Sequence, residues 1–171
     1  MGYTNDTHCH VWIPPTLIHY VTGTWSDAAG QVANTIVKKK TAADNTGVVT
    51  IPCLVPMNDG PDKGAYITSI DIYWECLTAA NDAVTALIHK VILPVNGAAI
   101  AAPDALTFSY DTGNDTAPER LTLDQHTMTL TLTTPVWVED DVLIQVQVTF
   151  DAALTSVDDI IGAKVNYTAR F

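Results

Sequence analysis

The sequence predicts an all-β fold, an antiparallel β-sandwich of about ten strands arranged like a jelly roll. Three observations indicate this fold: several segments alternate between apolar and polar residues, turn-forming residues separate them at short intervals, and no stretch has the period of an amphipathic helix. Successive side chains of a strand point to opposite faces, so strict alternation predicts strands with one buried face. Strands of this kind are typical of antiparallel sheets.

Four segments carry the strongest alternation. In residues 126–133, large and mostly apolar residues alternate with threonines, which predicts one core-facing side and one threonine-lined side. The same pattern returns in three further segments, residues 69–76, 142–150 and 161–171. Trp74 falls at an apolar position of its segment, so a place in the core is expected for it.

Weaker strand patterns fill the rest of the chain, at residues 9–13, 17–22, 32–38, 48–54, 87–93 and 106–110. Turn residues such as Pro14-Pro15 and Asn96-Gly97 separate them. We expect residues 1–171 to form a single domain. Two interpretations of residues 1–60 stay open: further strands of the same sandwich, or an extended arm that packs on a neighbouring subunit.

Composition and charge exclude one class of partner. The chain has 171 residues, a net charge of −11 and eight Lys and Arg residues, which argues against nucleic acid because phosphate binding needs clustered cations. The three lysines at residues 38–40 predict a strand edge or turn kept soluble by charge.

The sequence gives no sign of a membrane partner or of export. No basic segment precedes an apolar one at the start, and no apolar run reaches the ~20 residues that span a bilayer. We therefore expect a protein made in the cytoplasm. Cys9, Cys53 and Cys76 form no CxxC pair and are expected to be free thiols.

Two groups of residues are weak candidates for metal ligands. His8 and His10 lie two positions apart, so on a strand they point the same way and suit one transition metal, as in cupin-like metalloenzymes. Asp111 and Asp115 lie in an acidic turn whose oxygens suit Ca²⁺, although the turn lacks the spacing of a known calcium loop. Structural or incidental roles are the expectation for both groups, so no cofactor is predicted.

Motifs for catalysis are missing from the sequence. Neither a G-x-S-x-G nucleophile turn nor a glycine-rich phosphate loop occurs, and nothing selects a pair of carboxylates for acid–base chemistry. The sequence therefore predicts a protein that is not an enzyme, with no catalytic residues.

Aromatic residues provide the candidates for contact with a ligand or a subunit. Trp25 and Trp137 lie beside turns, where an exposed platform or a subunit contact is expected. Tyr73 falls on the polar side of its strand and is a further interface candidate. A platform of this kind would suit a glycan.

Three segments, residues 64–74, 135–141 and 162–171, resemble β-sandwich proteins among the structural genes of tailed phages and metagenomic viruses. The resemblance covers mainly residues 60–171 and has no catalytic motif. It implies a virion component such as a capsid decoration protein or a tail or fibre subunit. It also implies a homo-oligomer, often a trimer, with other virion proteins as partners.

The leading hypothesis is therefore a structural assembly subunit of a phage virion. Its first alternative is a carbohydrate-binding β-sandwich module for surface recognition, which would use exposed aromatic residues. A cupin-like metalloenzyme built on His8 and His10 is the third.

Overall fold

The computed structural model of the chain describes residues 6–30, 35–41, 46–55, 65–94, 101–152 and 155–170. Within these ranges the chain forms twelve β-strands and two short 3-10 turns, at Pro15–Leu17 and Pro118–Arg120. The strands are β1 (Asp6–Ile13), β2 (His19–Thr22), β3 (Trp25–Ala29), β4 (Ile36–Lys40), β5 (Thr46–Pro52), β6 (Ala65–Cys76), β7 (Asn81–Ile92), β8 (Asp104–Leu106), β9 (Phe108–Tyr110), β10 (Gln125–Val138), β11 (Val142–Ala152) and β12 (Asp158–Arg170). No described helix is long and apolar enough to cross a bilayer.

The strands form two antiparallel sheets. Sheet A has the order β3-β4-β12-β6-β10-β9, and β1 pairs with the C-terminal part of β12. Sheet B has the order β2-β5-β11-β7-β8. The described residues before position 60 form β1 to β5 and pair within these two sheets. An arm that packs on a neighbouring subunit stays a prediction, since it concerns a second copy of the chain.

The connections confirm the predicted jelly-roll arrangement. From β4 to β7 the chain changes sheet at every connection, and it does so again from β10 to β12. The result is the interleaved order β4-β12-β6-β10 in one sheet and β5-β11-β7-β8 in the other. Two sheets of four strands connected in this way are the double Greek key of a jelly roll. The predicted all-β antiparallel sandwich is therefore confirmed.

The core lies between the sheets and is formed by the apolar side of the alternating strands. Ile70, Ile72 and Trp74 of β6 are fully buried, and they meet Val148 and Phe150 of β11 in the same cluster. Each such side chain contributes about 1.5–3 kcal/mol when removed from water. The expected core position of Trp74 is confirmed, and the threonine side of β10 faces outward as predicted.

The lysine run, the three lysines at residues 38–40, does not have the role that the sequence predicted. Lys38 and Lys40 are buried, with exposures of 5% and 0%, and only Lys39 is partly open to solvent. The expectation of a solvated strand edge is wrong because β4 pairs with β3 along one edge and with β12 along the other. The cations are instead placed against carboxylates, including Asp158 and Asp159 of β12.

Candidate functional site

The outer surface of sheet A carries polar and aromatic side chains in register across four strands. Trp12 of β1 pairs with Lys164 of β12, Lys164 pairs with Asp71 of β6, and Asp71 pairs with Thr129 of β10. Residues of β6 and β12 at alternate positions face outward, since their neighbours Ile70, Ile72 and Val165 fill the core. The outer patch, as we call it, consists of Trp12, Tyr73, Lys164, Asp71 and Asn166.

The aromatic half of the outer patch is a pair of rings from two strands. Trp12 is 58% exposed, and its ring centroid lies 5.4 Å from that of Tyr73, with an angle of 32° between the planes. Tyr73 pairs across the sheet with Gly162, at a register shift in β12. A Cβ at Gly162 would lie 2.9 Å from the carbonyl oxygen of Ile13, so the close approach of β1 to β12 at this position requires glycine.

Hydrogen bonds centred on Asp71 organise the polar half of the outer patch. The Lys164 ammonium lies 2.6 Å from Asp71 Oδ2, and the Thr129 hydroxyl donates to Oδ1 at 2.8 Å. The Asn166 amide donates to Asp71 Oδ2 at 3.2 Å and to the Ser69 hydroxyl at 3.1 Å. The network holds these donors and acceptors in fixed positions beside the aromatic pair.

The charges of the outer patch neutralise each other. The hydrogen bond with Asp71 raises the pKa of Lys164, although burial acts in the opposite direction. The Lys164 ammonium also lies 5.8 Å from the ring centroid of Trp12, within cation–π range. The outer patch therefore presents an apolar surface edged by polar groups and has no net charge of its own.

A second aromatic pair lies nearer the other end of β6 on sheet A. Tyr66 and Trp137 have ring centroids 4.5 Å apart, and Trp137 is only half-buried. A cavity of about 370 Å³ adjoins Tyr66. Trp137 lines another cavity of similar volume between the end of β10 and β8. The predicted accessibility of Trp137 agrees with its position, while a ligand or subunit contact there stays a prediction.

Trp25 does not form the exposed platform expected from the sequence. It is 7% exposed, its ring meets Phe150 at a centroid distance of 5.9 Å, and its indole N–H donates to the Thr22 carbonyl at 2.9 Å. The expectation was wrong because a position next to a turn does not show which face of the following strand a side chain occupies.

Sequence reasoning did not single out Trp12, although the signal was present. Ile13 is buried, and Cys9 and Val11 are partly buried, whereas His8, His10 and Trp12 are exposed. This period-two pattern in β1 assigns Trp12 to the outer surface of sheet A.

His8 and His10 lie on the same side of β1, as their spacing predicted, and both are exposed. Their cross-strand partners are Thr168 and Asn166, and the ring of His10 lies edge-on to Trp12 at 6.4 Å. Among the described residues, no three His, Cys, Asp or Glu side chains come together as a metal site. A third ligand for the cupin-like hypothesis is therefore not provided by this part of the chain.

Asp111 organises the turn after β9 by accepting hydrogen bonds. Its carboxylate accepts from the N–H groups of Gly113 and Thr129 and from the Asn114 amide. Burial acts to raise the pKa of Asp111, but these hydrogen bonds more than offset it, so the pKa lies below its ordinary value. Both oxygens of Asp111 accept hydrogen bonds from the protein, and Asp115 is exposed.

No family model matches the sequence, and no curated protein is similar to it. Among solved structures, a family 29 carbohydrate-binding module from Piromyces equi is similar with 10% identity and a TM-score of 0.42, covering 94% of this chain and 91% of that one. A family 32 carbohydrate-binding module from C. perfringens NanJ, in complex with galactose, is similar with 12% identity and a TM-score of 0.38, covering 92% and 99%. At such identities and TM-scores the likeness does not indicate what this chain binds.

Proposed function

We propose that the chain is a carbohydrate-binding module whose outer patch on sheet A takes a neutral oligosaccharide. The observation that carries the proposal is the exposed ring of Trp12, packed beside Tyr73 and bordered by the network around Asp71. This is the alternative function that the sequence suggested, with Trp12 beside Tyr73 as the platform in place of Trp25 or Trp137.

The chemistry of a sugar ring suits this surface. One face of a pyranose exposes C–H groups, which pack against an aromatic ring, while the rim carries hydroxyls that need both donors and acceptors. Trp12 provides the apolar surface, and the partly exposed side chains of Lys164 and Asn166, held in place by the buried Asp71, provide polar partners for hydroxyls. Because the network already fixes these groups, little conformational entropy is lost when a ligand binds.

Charge favours a neutral ligand over an acidic one. The chain has a net charge of −11, which repels anionic glycans as it repels nucleic acid. The nearest cation, Lys164, is paired with Asp71 at 2.6 Å and leaves no excess positive charge for a carboxylate or sulfate. Neutral β- or α-linked oligosaccharides are therefore the expected ligand class.

A glycan array with the purified chain tests the proposal. The wild type is expected to bind a group of neutral oligosaccharides, and Trp12→Ala is expected to lower their affinity at least tenfold. Tyr20→Ala is the matched control, because Tyr20 is 60% exposed on β2 of sheet B, away from the outer patch. No binding by the wild type, or equal loss in both variants, would contradict the proposal.

An assembly subunit of a virion is the second candidate, favoured by apolar side chains on the surface. Tyr20 and Val21 on β2 and Ile36 on β4 are each more than half exposed, as is Leu87 on β7. A further copy of the chain would bury such side chains. Light scattering over a range of concentrations tests this function: a closed trimer supports it, and a monomer at every concentration contradicts it.

A further inference from the structure

Three polar side chains lie together inside the sandwich, away from the outer patch. Lys40 of β4 and Asp158 of β12 are both 0% exposed, and Asn81 at the start of β7 is 3% exposed. Lys40 and Asp158 belong to sheet A, whereas Asn81 belongs to sheet B. A lysine is almost never buried this completely, so the cluster requires an explanation.

The Asp158 carboxylate lies close to the nitrogen atoms of both Lys40 and Asn81. The Lys40 ammonium lies 3.9 Å from Asp158 Oδ2, and the Asn81 amide donates to Asp158 Oδ1 at 2.7 Å. Neither Asp158 Oδ2 nor Asn81 Oδ1 receives a hydrogen bond from a described residue. An amine, a carboxamide and a carboxyl group are thus assembled, and the carboxamide and the carboxyl group each keep one oxygen without a hydrogen bond from a described residue.

The surroundings of the cluster disfavour charge. The thiol of Cys76 lies next to it, with the Asn81 amide 3.7 Å from its sulfur, and burial raises the pKa of Cys76 to about 11. Burial likewise raises the pKa of Asp158, although its contacts with Asn81 and Lys40 oppose this. Both members of an ion pair in such a place lose most of their hydration.

We propose that Lys40 and Asn81 become joined by an intramolecular amide bond, with Asp158 carrying the protons of the reaction. The proposal rests on the placement of both groups against one buried carboxylate. The bond would tie β4 of sheet A to β7 of sheet B.

The atoms of the step balance without an oxidant or a co-reactant. Asp158 first takes a proton from the Lys40 ammonium. The amine nitrogen Nζ then attacks Cγ of Asn81 while the Asp158 O–H donates to Oδ1, which requires the Asn81 amide to rotate by half a turn. The Cγ–Nδ2 bond breaks, and Nδ2 leaves as ammonia with the second proton of Nζ. Asp158 ends protonated, as a donor to the new amide carbonyl.

The cross-linked product no longer contains the buried charge and the unsatisfied carbonyl oxygen of the starting cluster. The positive charge of Lys40 is lost, and the amide carbonyl gains a donor in Asp158. The cross-link also closes a loop of about forty residues, which restricts the unfolded chain as a disulfide does. The bond adds a direct covalent link between β4 of sheet A and β7 of sheet B to the connections that the chain already makes between the two sheets.

Mass spectrometry of the full-length chain under denaturing conditions tests the proposal. The wild type is expected to be lighter than its sequence by about 17 Da, the mass of one ammonia molecule. A tryptic digest is expected to contain a branched peptide that joins Lys40 to Asn81. The full sequence mass in the wild type would overturn the proposal, and so would a loss of ammonia located at another asparagine. A loss of about 18 Da located at Asp158 would also overturn it, since water is then the leaving group.

Variants provide the matched control. Lys40→Met and Asp158→Ala are expected to keep the full mass, whereas Lys39→Met is expected to show the loss of ammonia in full. Lys39 is the neighbouring lysine of β4 and lies 3.3 Å from Asp159, outside the cluster. A loss of ammonia that persists in Lys40→Met would overturn the assignment to Lys40. Because the readout is mass, the masses of two samples, the wild type and Lys39→Met, decide the proposal even if Lys40→Met fails to fold.

Discussion

Trp12 packs against Tyr73 at a centroid distance of 5.4 Å although β12 lies between the strands that carry them. Adjacent strands are about 4.8 Å apart, so the two rings must lean toward each other over β12. β1 can lie this close to β12 because Gly162, the residue of β12 opposite Tyr73, has no Cβ to meet the carbonyl oxygen of Ile13. The outer patch therefore depends on one backbone position as well as on its own side chains.

Replacing Gly162 with alanine is expected to disturb both stability and binding. The residue has a φ of 149°, and a Cβ there would lie 2.9 Å from the carbonyl oxygen of Ile13. We expect a loss of about 1–3 kcal/mol in the free energy of unfolding, because the backbone must shift where β1 meets β12. Urea denaturation measures it, and the glycan affinity is expected to fall in parallel.

Gly113→Ala is the control for this change. A Cβ at Gly113 would meet only Asp111 Oδ1, at 3.3 Å, in an exposed turn. A loss of stability in Gly113→Ala equal to that in Gly162→Ala would show that the effect is not specific to the junction of β1 and β12.

Lys164→Met is expected to destabilise the protein by about 1–3 kcal/mol near neutral pH, because Asp71 is left nearly buried without its counter-charge. The pKa of Lys164 is raised above 10.5 in the folded state. Its contribution is therefore fully present below that pH and is lost as the pH rises through the folded-state value. The difference in the free energy of unfolding between the wild type and Lys164→Met should become smaller above about pH 10.5. A difference that stays constant across this range, measured by urea unfolding, would refute the pairing.

Asp111→Ala tests the turn after β9, and its effect on stability is expected to depend on pH in the opposite direction to that of Lys164→Met. The pKa of Asp111 lies below 3.8 in the folded state, so its stabilisation is present above that value and disappears as the pH falls further. We expect Asp111→Ala to lower the free energy of unfolding by about 1–3 kcal/mol at pH 7 and by less at acidic pH. Asp115→Ala, at an exposed position of the same turn, is expected to change stability by less than about 0.5 kcal/mol.

The alternation of apolar and polar residues was enough to predict the architecture. Strand β11 and residues 128–132 of β10 bury every second residue, and this pattern depends on backbone geometry alone. The strand order was not predictable in the same way, because hydrogen-bonded neighbours such as β4 and β12 are more than a hundred residues apart.

The candidate site was predictable only in part. Tyr73 was assigned to the outer side of its strand by alternation, and the same rule applied to β1 would have identified Trp12. Trp25 was misplaced because a short strand beside a turn offers too few residues to define a face. The lysine run was misjudged because the burial of Lys40 depends on Asp158, whose distance in the sequence hides their pairing.

Quenching of tryptophan fluorescence by acrylamide tests the central claim most directly. Trp12 is 58% exposed, whereas Trp25 and Trp74 are 7% and 0% exposed and Trp137 is half-buried, so Trp12 is the tryptophan most open to the quencher. With a saturating neutral oligosaccharide, we predict that quenching of the wild type falls to the level of Trp12→Phe. If the oligosaccharide binds and quenching of Trp12 is unchanged, the ligand lies elsewhere and the proposed binding surface is wrong.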